Sequence, residues 1–369
     1  MTTVPSLRLG GLAVSAALLQ PGSQVSERPG AIERIGTLRT ERAAHTATTL
    51  ASGHVLVVGG MRTGGGSLAT VELFDPTDRS IQVLGSMVEA RAGHTATLLQ
   101  DGRALIAGGY NGEYLPSVEL FDPATRRFER SGVLIEGRSG HTGTLLPDGR
   151  VLLVGGVGRG WTFLRSAEPY DPATGRSEPA GSMMSPRESH TATLLADGRL
   201  LVVGGHSGRH EAMEVYTSAE LFDPQARRFD AAWSLGTARH KHDAVRLADG
   251  RVVIIRGADR SDRGYYGTTE IYTPRTGTFG PGRAMANPRY KIIGTSIVLP
   301  NDDVLVTSGA RSAEVLDVAR LAFHEIPGRF PEAYRFAAAV ALLNGDVLIT
   351  GGYADSNQNT AGVWLFSRR

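Results

Sequence analysis

The stretch RAGHTATLLQDGRALIAGGY, Arg91–Tyr110, decides the architecture because the chain repeats it. It returns as RSGHTGTLLPDGRVLLVGG at 138–156 and RESHTATLLADGRLLVVGG at 187–205, with arginine, histidine and double glycine at constant spacing. Apolar runs ending in Gly-Gly or a relic of it follow one another at VLVVGG (55–60), ALIAGG (104–109), VLLVGG (151–156), LLVVGG (200–205), VVIIRG (252–257), VLVTSG (304–309) and VLITGG (347–352). Their starts lie about 43 to 52 residues apart, a period that belongs to repeat architectures. Seven units result.

Each unit reads as four short strands. HTATLL (94–99) runs into ALIA through Asp101-Gly102, a pair that tolerates positive φ and closes a two-residue hairpin; Asp148-Gly149 and Asn344-Gly345 do the same elsewhere. The second strand is a continuous Val/Leu/Ile run, as a strand covered on both faces requires. SVELFDP (117–123) and RRFERSG (126–132) supply the third and fourth. A four-stranded sheet cannot bury both faces alone, whereas seven stacked radially can, so the expected fold is all-β, a seven-bladed β-propeller. The seventh unit ends at its third strand, AGVWLFSRR. Upstream, AIERIGTLRTER (31–42) aligns with RFERSGVLIEGR (127–138), so the N-terminal segment is expected to close the last blade as its outer strand, Ala31–Gly36 beside Ala361–Phe366.

Composition bounds the rest. The 369 residues carry a net charge of +2, which gives no global argument for nucleic acid. No cysteine is present, so disulfides, thiolate ligands and cysteine nucleophiles are excluded. No apolar run reaches the roughly 18–20 residues that span a bilayer. Residues 1–30, with about 11 apolar residues behind one arginine, read as a tail or a short export segment, and export would make the protein secreted or periplasmic; 31–369 read as the propeller. There is no P-loop, G-x-S-x-G elbow, HExxH or zinc-finger spacing.

The Gly-Gly, the spaced Glu and aromatic, and the period resemble the kelch repeat as found in bacterial kelch proteins, over roughly residues 31–369. The resemblance implies the propeller strongly and function weakly, because such propellers include enzymes and binding scaffolds. In kelch binding modules the arginine before the histidine lines the mouth of the central channel. Carried over, Arg42, Arg91, Arg138, Arg187 and Arg239, with Arg289 or Lys291 and Arg335, would form a cationic rim that takes a carboxylate or sulfate. The plainer reading pairs each arginine with a Glu or a carbonyl of the next blade. His45, His94, His141, His190 and His242 occupy one position, where the related galactose oxidase propeller uses a copper ligand in one blade. That enzyme also needs a cysteine cross-linked to tyrosine, which this chain lacks. A histidine repeated in five units reads more simply as an interblade hydrogen bond.

Departures from the repeat mark candidate chemistry. RHKHDAVRL (239–247) brings His240, Lys241, His242 and Asp243, with Asp243 able to orient an imidazole; PRYKIIG (288–294) brings Tyr290 and Lys291; EAYRFAA (332–338) brings Tyr334 and Arg335. His240, His242, Tyr290 and Tyr334 are the acid/base candidates. Strand alternation would turn His240 and His242 to one side together. Tyr110, Tyr114, Trp161, Tyr265 and Tyr266 in the loops after Gly-Gly could stack on a sugar or form a protein contact. His206 and His210, with Glu211 and Glu214 nearby, are weak metal candidates without a recognised spacing. The expected function is binding of an anionic small molecule or glycan at an Arg/His/Tyr-lined pocket, with non-redox lyase, isomerase or cyclase chemistry if catalytic. The alternative is a protein-interaction module. No cofactor is required, a divalent metal is left open, no nucleic-acid partner is expected, and the expected state is a monomer.

Overall fold

Seven four-stranded antiparallel sheets form the blades of the computed structural model, which describes residues 30–261 and 264–368; two short ribbons, Val157–Gly158 with Thr162–Phe163 and His206–Ser207 with Glu214–Val215, lie in the loops of blades three and four. The second blade shows the unit: Thr95–Leu98, Ala104–Ala107, Ser117–Asp122 and Arg127–Val133, hydrogen-bonded in that order. The first strands of the seven blades are each other's neighbours around the axis, and the fourth strands lie outermost. The expectations for residues 1–29 fall outside the described residues. Among the described residues no helix is long and apolar enough to cross a membrane.

Closure follows the alignment of the chain ends. Ala31–Thr37 pairs antiparallel with Gly362–Ser367, from Ala31 opposite Ser367 to Thr37 opposite Gly362, with an irregularity between Arg34 and Gly36. The last blade is therefore built from both ends of the chain.

Apolar packing explains why the second strand carries no polar side chain over most of its length. Val55–Val58, Ala104–Ala107, Val151–Val154, Leu200–Val203 and Val252–Ile255 are buried at every position. Seven apolar clusters result, each combining residues of two adjacent blades. Each fully buried Val, Leu or Ile contributes about 1.5–3 kcal/mol, so the seams hold the ring together.

The double glycine has its own reason. Gly59 lies at φ 61°, and a Cβ there would sit 2.6 Å from the carbonyl oxygen of Arg91 in the next blade. That close approach lets Gly60 N–H donate to the same oxygen at 2.9 Å; the bonds Gly109 to Arg138, Gly156 to Arg187, Gly205 to Arg239 and Gly352 to Arg42 repeat it.

Candidate functional site

The repeated arginines fold back into their own blades. Arg91 is wholly buried; its guanidinium donates to Glu119 Oε1 at 2.7 Å, to the Gly108 carbonyl at 2.6 Å and to the Ser117 carbonyl at 3.1 Å. Arg42, Arg138, Arg187, Arg239 and Arg289 are equally buried and pair with Glu72, Glu168, Glu220, Glu270 and Glu314. The carboxylates also cap the entering loop: Glu119 accepts from the backbone N–H of Val88 and Glu89. Burial lowers the guanidinium pKa of Arg91 and the Glu119 charge opposes the shift. The cationic rim expected of Arg42, Arg91, Arg138, Arg187 and Arg239 is corrected on this point. Their terminal guanidinium nitrogens are committed inside the blade, to its own Glu and carbonyls and not those of the next blade.

Blade seven keeps the geometry and changes the chemistry. Tyr334 stands at the arginine position and Trp364 at the glutamate position, and their rings lie 5.2 Å apart in the core. An aromatic contact replaces the ion pair, so Tyr334 belongs to the seam and not to an acid/base set.

The histidines join blades. His94 Nε2 meets Thr46 Oγ1 at 3.0 Å, His141 meets Thr95 at 3.2 Å, His190 meets Thr142 at 3.3 Å and His242 meets Thr191 at 3.0 Å. His45 closes the series on Thr350 at 2.8 Å. Burial holds these imidazoles neutral: His94 and His190 fall to about 3, and His45, His141 and His242 lie well below the ordinary value. His242 is thus an interblade residue rather than an acid/base group. Asp243 does not orient it; its Oδ2 accepts from Thr295 N–H at 2.9 Å and Ser296 N–H at 2.7 Å of blade six. Nor do His240 and His242 share a face, because Lys241 between them is left-handed (φ 52°) and the strand begins only at Asp243.

What does line the mouth is the pair of residues between arginine and histidine. The second of each pair is left-handed in all seven blades and belongs to a backbone chain around the axis: Gly140 N–H to Gly93 O, Gly93 to Ala44, Ala44 to Phe336, Phe336 to Lys291, Lys291 to Lys241 and Lys241 to Ser189, at 2.9–3.1 Å. The first of each pair bridges, in six blades, to a loop after the second strand, as Ala92 does to Tyr110 and Glu188 to His206. Blades one to three present Ala43, Ala92 and Ser139 here; blades four to seven present Glu188, His240, Tyr290 and Arg335.

Two clusters occupy the arc of blades four to seven. In the first, His240 is fully buried, its Nδ1 3.1 Å from His206 Nδ1 and its Nε2 3.1 Å from the Asp259 carbonyl. A carbonyl only accepts, so His240 carries its proton on Nε2 and accepts at Nδ1 from His206 Nδ1–H. The basic nitrogen of His206 is then Nε2, 3.9 Å from Glu188 Oε2. Burial raises the Glu188 pKa, with Arg209 and Lys241 opposing. Glu188, His206, Arg209, His210, Lys241 and Arg260 line an open cavity of about 360 Å³.

The second cluster holds Tyr265 stacked on Tyr290 at 4.1 Å and 11°, and the Arg335 guanidinium 5.1 Å from the Tyr290 ring. Lys291 Nζ lies 2.6 Å from Tyr353 Oη, and Arg335 pairs with Asp355 at 2.5 Å. Burial raises the Tyr290 hydroxyl above its ordinary range, as does its hydrogen bond with Tyr265. Further out, Tyr110, Tyr114 and Trp161 pack 5.0–6.5 Å apart, with the Arg209 guanidinium 3.3 Å over the Trp161 ring.

Glu188 and Tyr353 were not singled out in the sequence. Glu188 had a signal: it replaces Ala or Ser at a fixed repeat position. Tyr353 had only its place after Gly351-Gly352.

A metal is a poor fit to these groups. Among the described residues no three imidazole or carboxylate groups converge as a ligand set, and His206 Nδ1 is engaged with His240 although His206 and His210 line one cavity. The cysteine of a cross-linked copper-radical centre is absent from the chain.

No protein-family profile matches the chain, and no curated protein matches it. Among solved structures it is similar to a fungal alcohol oxidase of the AA5 family, determined in complex with copper. The TM-score is 0.74 at 16% identity, over 92% of this chain and 76% of that one. A likeness at this identity reaches the fold alone. What the chain shares with that enzyme is the β-propeller fold.

Proposed function

We propose that the protein binds a carboxylate- or sulfate-bearing small molecule or glycan end on the arc of blades four to seven. We further propose that it acts on this ligand by non-redox acid/base chemistry of the lyase, isomerase or cyclase type. One observation carries the reading: at the first mouth position, blades four to seven all replace a small residue by Glu188, His240, Tyr290 or Arg335. Kelch-type repeats hold such positions on a common backbone, so the change alters the mouth without altering the ring.

The roles follow from the chemistry. Lys241, Lys291 and Arg335 attract the anion. His206, oriented by His240, exchanges a proton with the ligand or with Glu188, whose raised pKa suits that exchange. Aromatic rings of the outer loops give a sugar ring a stacking surface. The exposure of Trp161, 50%, and of Tyr110, 36%, supports the second reading, a protein-interaction surface.

Titration calorimetry with glucuronate and with glucose separates the two. The proposal expects glucuronate binding that Lys241→Ala weakens about tenfold or more, as loss of a charge-assisted hydrogen bond would, and negligible glucose binding. Equal affinity for both sugars, or glucuronate affinity untouched by Lys241→Ala, rejects the anionic mouth.

A further inference from the structure

The Lys291–Tyr353 pair is explained neither by the repeat nor by the histidine cluster. Tyr353 follows the double glycine of blade seven, where other blades carry Met61, Tyr110, Val157, His206 and Ala258. Its backbone bridges Arg335 on one side and Asn359 on the other, which fixes the ring at the mouth. The Lys291 ammonium meets its hydroxyl at 2.6 Å. That ammonium sits 4.9 Å from the Tyr290 ring centre, 5.3 Å from that of Tyr353 and 5.7 Å from that of Phe336. Aromatic faces keep a lysine charged while removing part of its water.

An ammonium has donors and no acceptor, so Lys291 donates and the phenol oxygen accepts. A charged donor at this distance favours the phenolate by both Coulomb attraction and hydrogen bonding. Arg335, whose backbone bridges Tyr353, brings a second cation that pairs with Asp355 at 2.5 Å. Tyr290 and Tyr265 face each other in a stack, and Tyr290 is pushed the opposite way by burial.

We propose that Tyr353, with Lys291 as its positioning cation, is the proton-accepting group of the mouth for a carboxylate-bearing ligand. This rests on the anion-binding reading above. In the step, the Tyr353 phenolate oxygen takes the proton from the carbon that bears the carboxylate. The C–H bond breaks, its electron pair spreads into the carboxylate as an enediolate, and Tyr353 becomes a neutral phenol. Lys241, joined to Lys291 along the backbone chain, meets the growing negative charge. Return of the proton regenerates the phenolate, so no other reactant is needed.

Two measurements on folded protein, verified by circular dichroism, test the pair. The first is a pH titration of the phenolate absorption band in wild type, Tyr353→Phe, Lys291→Met and Tyr290→Phe. One tyrosine equivalent should ionise about 1–3 pH units below the ordinary value near 10. It should vanish in Tyr353→Phe, shift upward in Lys291→Met and persist in Tyr290→Phe. If Tyr353→Phe removes only an ordinary or late-titrating equivalent, the pair is refuted whatever ligand binds. The second follows solvent deuterium entering bound glucuronate beside its carboxylate by NMR. Tyr353→Phe should slow exchange by about 10²-fold or more while binding is retained. Exchange unchanged in Tyr353→Phe, or a wild type that binds without exchanging, overturns the catalytic assignment. Glucuronate that fails to bind wild type refutes the mouth reading separately.

Discussion

Blades one to three and blades four to seven share one backbone and differ in what they hang on it. In the first group the two mouth positions hold Ala43-Ala44, Ala92-Gly93 and Ser139-Gly140. In the second they hold Glu188-Ser189, His240-Lys241, Tyr290-Lys291 and Arg335-Phe336. The second position is left-handed throughout, φ 48–65°, a conformation that suits glycine and penalises a lysine or phenylalanine. Non-glycine residues take this conformation at all four positions of the second arc, but only at Ala44 in the first, where Gly93 and Gly140 adopt it without strain. Two kinds of charge are also separated: arginines locked inside every blade but the seventh, and lysines at the mouth of two blades only.

The largest expected effect tests the scaffold half of that comparison. Arg91→Ala leaves Glu119 buried without its partner and should cost about 3–5 kcal/mol in chemical denaturation, with glucuronate affinity unchanged in whatever protein remains folded. A mild stability change together with lost ligand affinity would restore the arginine rim.

The histidines come next. His94→Ala and His242→Ala, one on each arc, should lower stability alike, by about 2–3 kcal/mol, because each removes a buried ring and an interblade bond. Acid should act on all five. Their folded pKa values lie below the unfolded value of 6.5, so the unfolded chain binds more protons as pH falls. Stability is full above about 6.5 and falls below it, by about 1.4 kcal/mol per pH unit for each histidine until its folded pKa is reached. A flat urea midpoint between pH 7 and 5 would contradict the buried, neutral assignment.

The smallest effect has an opposite sign on each readout. Lys241→Gly relieves the left-handed strain and should stabilise the fold by about 0.5–1 kcal/mol while glucuronate binding is lost. Destabilisation with binding intact would make Lys241 a structural residue.

The sequence carried the ring well because the ring is periodic: Gly-Gly, Asp-Gly and the Val/Leu/Ile run recur for steric reasons, and AIERIGTLRTER announced the closing strand by aligning with a full repeat. The arginines were harder. Their place in the repeat lies beside the mouth, but the side chain turns back to a glutamate of the third strand. The Glu in SVELFDP, two residues before its aromatic, was the available clue. The site was harder still. His206 and His240 are 34 residues apart and Lys291 and Tyr353 are 62 apart, so each pair exists only once neighbouring blades stack. Glu188 breaks the repeat by replacing Ala or Ser, but Tyr353 breaks no pattern of its own, and only its neighbours around the axis give it meaning.

A crystal structure of the protein soaked with glucuronate tests the division of the mouth most directly. The account predicts the carboxylate over blades four to seven, within hydrogen-bonding distance of Lys241, with Arg91 and Glu119 still paired. A sugar seated instead over Ala43, Ala92 and Ser139, or a carboxylate that draws the buried arginines out of their blades, would contradict it.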